Sequence, residues 1–357
     1  MSGSNAPAAG PPTRPPLPTN WRKWILGARP RTLPAAVAPV LVGTAAAAGV
    51  CANPTGIDGV TSCLAVGRAV WDRSGLLHNY APNSGVAFSP ELDGSAKGLT
   101  WWVFLCALGV ALFVQIATNY ANDYSDGKRG TDDPGARVGP PRLVGNGLAT
   151  PGEVKRAMLV AFGLTALCGL PLVLFVDWRL VFVGLAAIAA GWFYTGGSRP
   201  YGYAGFGEVF VFVFFGLVAT VGSYYVQTLQ IDWLPVVAGA AMGCLATALL
   251  VVNNLRDIPG DTEVGKRTLA VRLGDRNTRG LYVVLVVIPF VLLPFMAGLG
   301  ERPLAAIAFV ALVLARRPVV AVLSGAKGPQ LIAVLGDTGK VQMVYGLLVA
   351  IGFLVGG

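Results

Sequence analysis

Nine apolar stretches, most of them near the length that crosses a lipid bilayer, divide this chain and leave it few ways to fold. They are Leu33–Val50, Leu99–Thr118, Ala157–Val176, Leu180–Tyr194, Phe206–Val226, Trp233–Val252, Leu281–Leu299, Leu304–Leu314 and Val341–Leu354. A helix needs about 20 predominantly apolar residues to span the hydrocarbon core. Inside that medium each backbone amide must be satisfied within the protein, which helices do locally. The composition agrees: 54% of residues are hydrophobic and 13% charged, where a soluble domain carries about 25% charged residues. Mean hydropathy is +0.62. The expected fold is an all-α integral membrane protein of about nine transmembrane helices, with eight as the alternative. The last two stretches are short, and Pro318–Gly336 between them, which contains Lys327, is expected to lie at the interface.

The formal net charge of +9 raises nucleic acid as a partner, but the basic residues sit in the loops between apolar runs. That placement follows the rule that cytoplasmic loops collect Lys and Arg, so the bilayer is the expected partner and nucleic acid is not. With the N-terminus inside, all but five of the 27 Lys and Arg fall on the inner side; the exceptions are Arg68, Arg73, Lys97, Arg179 and Arg302. The expected topology is therefore N-in and C-out in the cell membrane, with the bundle's central cavity open to the cytoplasm.

Met1–Asn20 is rich in Pro, Gly and small residues and reads as a disordered tail ahead of one transmembrane domain, residues 21–357. Leu33–Val50 imitates the core of a signal peptide, but the many spans that follow favour a first transmembrane helix. Residues 51–98 are polar and unperiodic and read as an extracytoplasmic insertion loop. Cys51 and Cys63 share that loop, where an oxidising compartment would permit a bridge whose geometry the sequence does not determine. Cys106, Cys168 and Cys244 lie in apolar spans and read as small buried hydrophobes. The single histidine, His78, is in the loop and is assigned no chemistry.

Two aspartate clusters carry the chemistry. Each ends an apolar span: Asn119-Tyr-Ala-Asn122-Asp123-Tyr-Ser-Asp126, and Asn253-Asn254-Leu-Arg256-Asp257-Ile-Pro-Gly-Asp261. A carboxylate at the centre of an inserted helix costs about 2.5–3.5 kcal/mol, so four beside apolar spans imply a wet cavity or a bound cation. Asp123 and Asp126 are three apart and Asp257 and Asp261 four apart, spacings that put each pair on one helical face. Two such faces converging at the inner mouth of a bundle suit Mg²⁺, which is commonly shared between one or two carboxylates and substrate phosphates. Lys128, Arg129, Arg137 and Arg142 follow the first cluster, and Arg256, Lys266 and Arg267 flank the second. Guanidinium forks recognise a diphosphate, although topology and anionic headgroups account equally well for any single basic residue.

Other motif-like strings fail. The first cluster lacks the alternating acidic positions of a calcium loop, Gly145-Asn-Gly147 lacks the lysine of a phosphate loop, and one histidine builds no Ser-His-Asp set. The segment Tyr194-Thr-Gly-Gly-Ser-Arg199-Pro-Tyr201-Gly-Tyr203 offers tyrosines and Arg199 to orient an aromatic acid, or else forms an interfacial tyrosine belt. Arg29-Pro-Arg31-Thr-Leu-Pro reads either as a helix-start anchor or as a lining of the same mouth.

At these residues the chain resembles the UbiA superfamily of intramembrane prenyltransferases. Asn122-Asp123-x-x-Asp126 and Asp257-x-x-x-Asp261 correspond to its two aspartate-rich motifs, and the similarity runs from Trp21 to the C-terminus apart from residues 51–98. Ala28-Arg-Pro-Arg-Thr-Leu-Pro, Arg142-Leu-Val-Gly and Tyr194-Thr-Gly-Gly-Ser-Arg-Pro point to the menaquinone branch. The resemblance implies Mg²⁺-dependent transfer of a polyprenyl group from polyprenyl diphosphate to 1,4-dihydroxy-2-naphthoate, with loss of CO₂, giving demethylmenaquinone. It implies that Asp123, Asp126, Asp257 and Asp261 are catalytic and hold the metal, with Asp132 as a further metal or ring-side residue. Asn122, Lys128, Arg137, Arg142, Asn254, Arg256, Lys266 and Arg267 are expected on the diphosphate, and Asn119, Tyr194, Arg199 and Arg31 on the aromatic acceptor. Sibling acceptors such as 4-hydroxybenzoate, homogentisate or a tetrapyrrole are the nearest alternative, and a secondary transporter a more distant one. No protein partner is indicated.

Overall fold

The computed structural model describes residues 21–48, 50, 99–130 and 141–356, and all structural statements refer to these. The expected N-terminal tail, the insertion loop with Cys51, Cys63 and His78, and Asp132 and Arg137 lie outside the described residues. The described chain is helical and contains no strand. A short helix α1 (Arg22–Ala28) and a 3₁₀ turn (Pro30–Thr32) precede α2 (Pro34–Ala46). Then come α3 (Trp101–Arg129), α4 (Pro151–Phe175), α5 (Leu180–Phe193), α6 (Gly207–Thr228), α7 (Trp233–Glu263), α8 (Leu269–Gly298), α9 (Pro303–Leu323) and α10 (Pro329–Gly356).

Seven of these, α3, α4 and α6 to α10, are long and apolar enough to cross a membrane. The shorter apolar helices α2 and α5 occupy the two remaining stretches. The chain is thus a multi-pass membrane protein. Large apolar side chains such as Leu105, Val160, Leu167 and Val313 face outward, as a lipid-contacting surface requires.

Local signals explain the boundaries. Proline stands at the first turn of α2, where its missing N–H costs nothing. Thr150 and Glu153 form a reciprocal capping box at the start of α4, and the Thr268 hydroxyl accepts from Val271 N to start α8. Gly274, with φ 74° and ψ 170°, breaks the helix after the first turn of α8, a conformation open to glycine.

Several helices outrun their apolar stretches. α3 continues from Thr118 to Arg129 and α7 from Val252 to Glu263, so both aspartate clusters sit on helices rather than in the loops that follow. Hydropathy loses such helix ends because they turn polar while keeping their backbone hydrogen bonds. Pro318–Gly336, expected at the interface, comprises the end of α9, a tight turn, and the first turns of α10. Cys244 is buried as expected, whereas Cys106 and Cys168 are half-buried between α3 and α4.

The main core surrounds α7, which packs against α2, α6, α8 and α10. A second core joins α1, α3, α4 and the turn around Leu143. Small residues bring the α6 and α7 backbones together: a Cβ on Gly216 would lie 2.4 Å from the Gly243 Cα. Gly216 lies in a π-helical turn, Phe212–Val218, that bulges α6 at this crossing. Close backbone approach through small residues is how helices associate in lipid. Gly216→Val is expected to destabilise the protein by about 1–3 kcal/mol through overpacking, read as a lower unfolding temperature in detergent; an unchanged temperature would contradict this crossing.

Candidate functional site

Between α2, α3, α4, α5, α6 and α7 lies a cavity of about 840 Å³. Its walls are apolar along α4, α5 and α6, through residues such as Val173, Leu185, Ile188 and Phe214. Its polar end carries Asn119, Asn122, Asp123 and Asp126 from α3, and Asn253, Asn254 and Arg256 from α7. Arg29, Arg31, Arg142, Tyr194 and Lys266 line the same space. Both clusters therefore reach one cavity.

Asp123 is the most deeply buried of the four aspartates, at 1% exposure. Its Oδ1 accepts from Arg29 at 2.8 Å and from Arg142 at 2.7 Å, and its Oδ2 from the Leu143 amide at 3.1 Å. Arg29 has left-handed φ/ψ of 52° and 69°, which turns α1 into the 3₁₀ segment while its guanidinium meets Asp123. Arg29 thus both starts the 3₁₀ turn and lines the cavity, the two readings of Arg29-Pro-Arg31.

Asp126 accepts from the Tyr203 hydroxyl at 2.8 Å. The Tyr203 ring stands between two cations, with the Arg129 guanidinium carbon 5.2 Å and the Lys266 ammonium 5.0 Å from its centroid, distances at which the ring quadrupole attracts charge. Lys266 in turn lies 3.6 Å from Asp261 Oδ1. One short chain of contacts thus links Asp126 on α3 to Asp261 on α7, so the two acidic faces belong to the same end of the bundle. Asp257 receives both its oxygens' contacts at 2.7 Å from Arg256, which also donates to Asn253 Oδ1 at 2.8 Å.

Tyr194 stands where these groups meet. The Tyr201 hydroxyl donates to the Ala190 carbonyl at 2.7 Å, and burial raises its pKa above the ordinary tyrosine value. Asn119 donates to the Ala28 carbonyl at 2.9 Å, and the Asn122 carbonyl accepts from Thr195 Oγ1 at 2.9 Å, which fixes both amides.

Of the expected residues, Asp257, Asp261, Lys128, Arg199 and Arg267 do not line the cavity, and the last three of these are exposed. Among the described residues no three His, Cys, Asp or Glu side chains stand together closely enough to hold a metal by themselves. Asp123 and Asp126 at the polar end of the cavity supply oxygen ligands of the kind Mg²⁺ shares between one or two carboxylates and substrate phosphates. Sequence reasoning passed over Gln115, Thr195 and Glu208. Glu208, buried in the first turn of α6 and bonded to Asn254 at 2.9 Å, carried a usable signal: an acidic residue inside an apolar stretch.

Residues 94–327 match the UbiA prenyltransferase family. The chain is 45% identical to the 1,4-dihydroxy-2-naphthoate octaprenyltransferase of Mycobacterium tuberculosis, over 93% of this chain and 96% of that protein. It is 43% identical to the enzyme of the same name from Escherichia coli, over 56% of this chain and 68% of that protein. Among solved structures, a UbiA homologue from Archaeoglobus fulgidus bound to DMAPP and Mg²⁺ superposes with a TM-score of 0.52 at 15% identity. It covers 92% of this chain and 99% of its own, a likeness of fold.

The Asp123 cluster generates a direct test. Removing one hydrogen bond to a charged group costs about 1.5–3 kcal/mol, so Arg142→Met is expected to lower the unfolding temperature in detergent by several degrees, while exposed Arg199→Met leaves it unchanged. Equal shifts for the two variants would contradict the pairing.

Proposed function

The chain belongs to the UbiA prenyltransferase family, and from that premise we propose that it transfers a polyprenyl group from polyprenyl diphosphate to 1,4-dihydroxy-2-naphthoate in menaquinone biosynthesis. The observation that carries the reading is the cavity whose polar end holds Asn122, Asp123 and Asp126 of one cluster and Asn253, Asn254 and Arg256 of the other, with an apolar wall behind them. Near full-length similarity to dihydroxynaphthoate octaprenyltransferases supports the choice of acceptor.

The residues divide the work by chemistry. Arg142, Arg256 and Lys266 offer the diphosphate positive charge in a site screened from bulk water, where it stabilises the leaving group more than in solution. Asp123, Asp126, Asp257 and Asp261, with Asp132, would hold Mg²⁺, which supplies further neutralisation of the departing diphosphate. The apolar walls of α4, α5 and α6 take the prenyl chain and keep water from the allylic carbon. Tyr194, Asn119 and Arg31 line the same cavity and orient the acceptor.

The bond changes balance without an oxidant. The allylic C–O bond breaks, a C–C bond forms at the ring carbon bearing the carboxylate, and the electron pair of the lost C–CO₂ bond restores the ring. Acceptor carboxylate and prenyl diphosphate become prenylated quinol, CO₂ and free diphosphate. Demethylmenaquinone then arises by a separate two-electron oxidation. The excess of Lys and Arg in alternate loops supports a cytoplasmic N-terminus and active site in the cell membrane.

Membranes containing the protein, Mg²⁺ and a prenyl diphosphate are expected to form a prenylated lipid from dihydroxynaphthoate and none from 4-hydroxybenzoate or homogentisate, read by mass spectrometry. Product from either of the latter instead would overturn the acceptor. Asp123→Ala and Asp257→Ala are each expected to abolish transfer while the protein remains inserted; full activity of either would remove the role given to that cluster.

A further inference from the structure

Glu208 lies in the first turn of α6 at 5% exposure, and its Oε1 accepts from Asn254 Nδ2 at 2.9 Å. Its backbone carbonyl accepts from Thr247 Oγ1 at 3.4 Å, so α6 and α7 are joined here twice. An acidic side chain inside a membrane helix costs about 2.5–3.5 kcal/mol near its centre. A glutamine would tie the same two helices together at less cost, so packing alone does not account for a carboxyl group.

The partner does account for it. Asn254 lines the cavity and belongs to the second cluster, one helical turn before Asp257. Its amide has two chemically opposite ends, an NH₂ that donates and a carbonyl that accepts. A carboxylate has only acceptors to offer, so it selects the nitrogen and leaves Oδ1 for the other side. We infer that Glu208 is a positioning residue that locks the Asn254 amide with its carbonyl oxygen, rather than its NH₂, toward the cation carried with the substrate diphosphate. Hard cations take amide carbonyl oxygens as ligands, whereas the NH₂ end would present like charge. The inference rests on the prenyl-transfer reading of the cavity and extends it to a group outside the cavity wall.

A swap of the two side chains tests it. Glu208→Gln supplies a donor that lets the Asn254 amide turn over, and Asn254→Asp sets two carboxylates against each other. In E208Q/N254D the introduced glutamine donates to one oxygen of the introduced aspartate, whose other oxygen faces the cavity, and the net charge of the native pair returns. Binding of geranyl thiolodiphosphate, an analogue that resists ionisation, is measured by calorimetry on purified full-length protein with and without Mg²⁺. Outer ligands of this kind are worth roughly 10–100-fold in metal affinity. Each single variant is expected to lose about that much of the Mg²⁺-dependent binding, with the Mg²⁺-independent binding of E208Q unchanged, and the double variant to recover most of the loss.

A purely structural role predicts E208Q at wild-type affinity, or a double variant no better than the weaker single, and either result overturns the proposal. Gel filtration and unfolding temperature accompany each variant, and the double variant decides the matter should one single fail to insert. Calorimetry requires no acceptor, so a wrong acceptor in the functional reading leaves this test intact and is told apart from it.

Discussion

A carboxylate buried at the polar end of an apolar bundle has to be answered by cations, and Asp123 is where this fold answers. Arg29, Arg142 and the Leu143 amide converge on it from the α1–α2 junction and from the segment that leads into α4. Two separate parts of the chain are thereby brought to one side chain of α3. Removing a partner from a buried ion pair is far more costly than the pair's own net contribution. The arrangement therefore specifies where α1 and the 141–150 turn sit, and with them the floor of the cavity.

The same economy of charge shapes the rest of the site. Tyr203 stands between Arg129 and Lys266 and donates to Asp126, so a loop residue bridges the ends of α3 and α7. Those ends are helical to Arg129 and Glu263, well past the apolar stretches that cross the membrane. Functional groups held on helices are placed more tightly than groups on loops. Opposite them, α4, α5 and α6 contribute little but apolar wall. A polar, cation-rich end joined to a long apolar chamber is complementary to a molecule that is itself half diphosphate and half hydrocarbon.

Much of this was legible in the residues. Apolar run length marked where each of the nine expected stretches lies, and the spacings of Asp123 with Asp126 and Asp257 with Asp261 placed each pair on a helical face. What hydropathy lost were the polar helix ends, as in α10, which begins at Pro329 rather than at Val341. The pairing of Asp123 with Arg29 spans 94 residues, and no local pattern encodes a contact at that separation. Tyr203 read as one of three tyrosines that either orient an aromatic acid or form an interfacial belt, because its partners come from α3 and from the turn after α7. Glu208 was hidden by the hydrophobicity of Phe206–Val226, although a single ionisable residue in such a run deserved more weight than its neighbours gave it. Lys128, Arg199 and Arg267, expected on the substrates, are exposed and outside the cavity lining: charge near a motif in sequence is not by itself charge in the cavity.

The central claim is that the α3 and α7 clusters serve one metal-bound diphosphate at the polar end of this cavity. Anomalous diffraction from crystals grown with Mn²⁺ in place of Mg²⁺ and geranyl thiolodiphosphate tests it most directly. The account predicts a manganese peak between the two clusters, touching the diphosphate and carboxylates from both helices, with the geranyl chain lying along α4, α5 and α6. Manganese bound to one cluster alone with the diphosphate elsewhere, or a diphosphate held with no metal in contact, would contradict it.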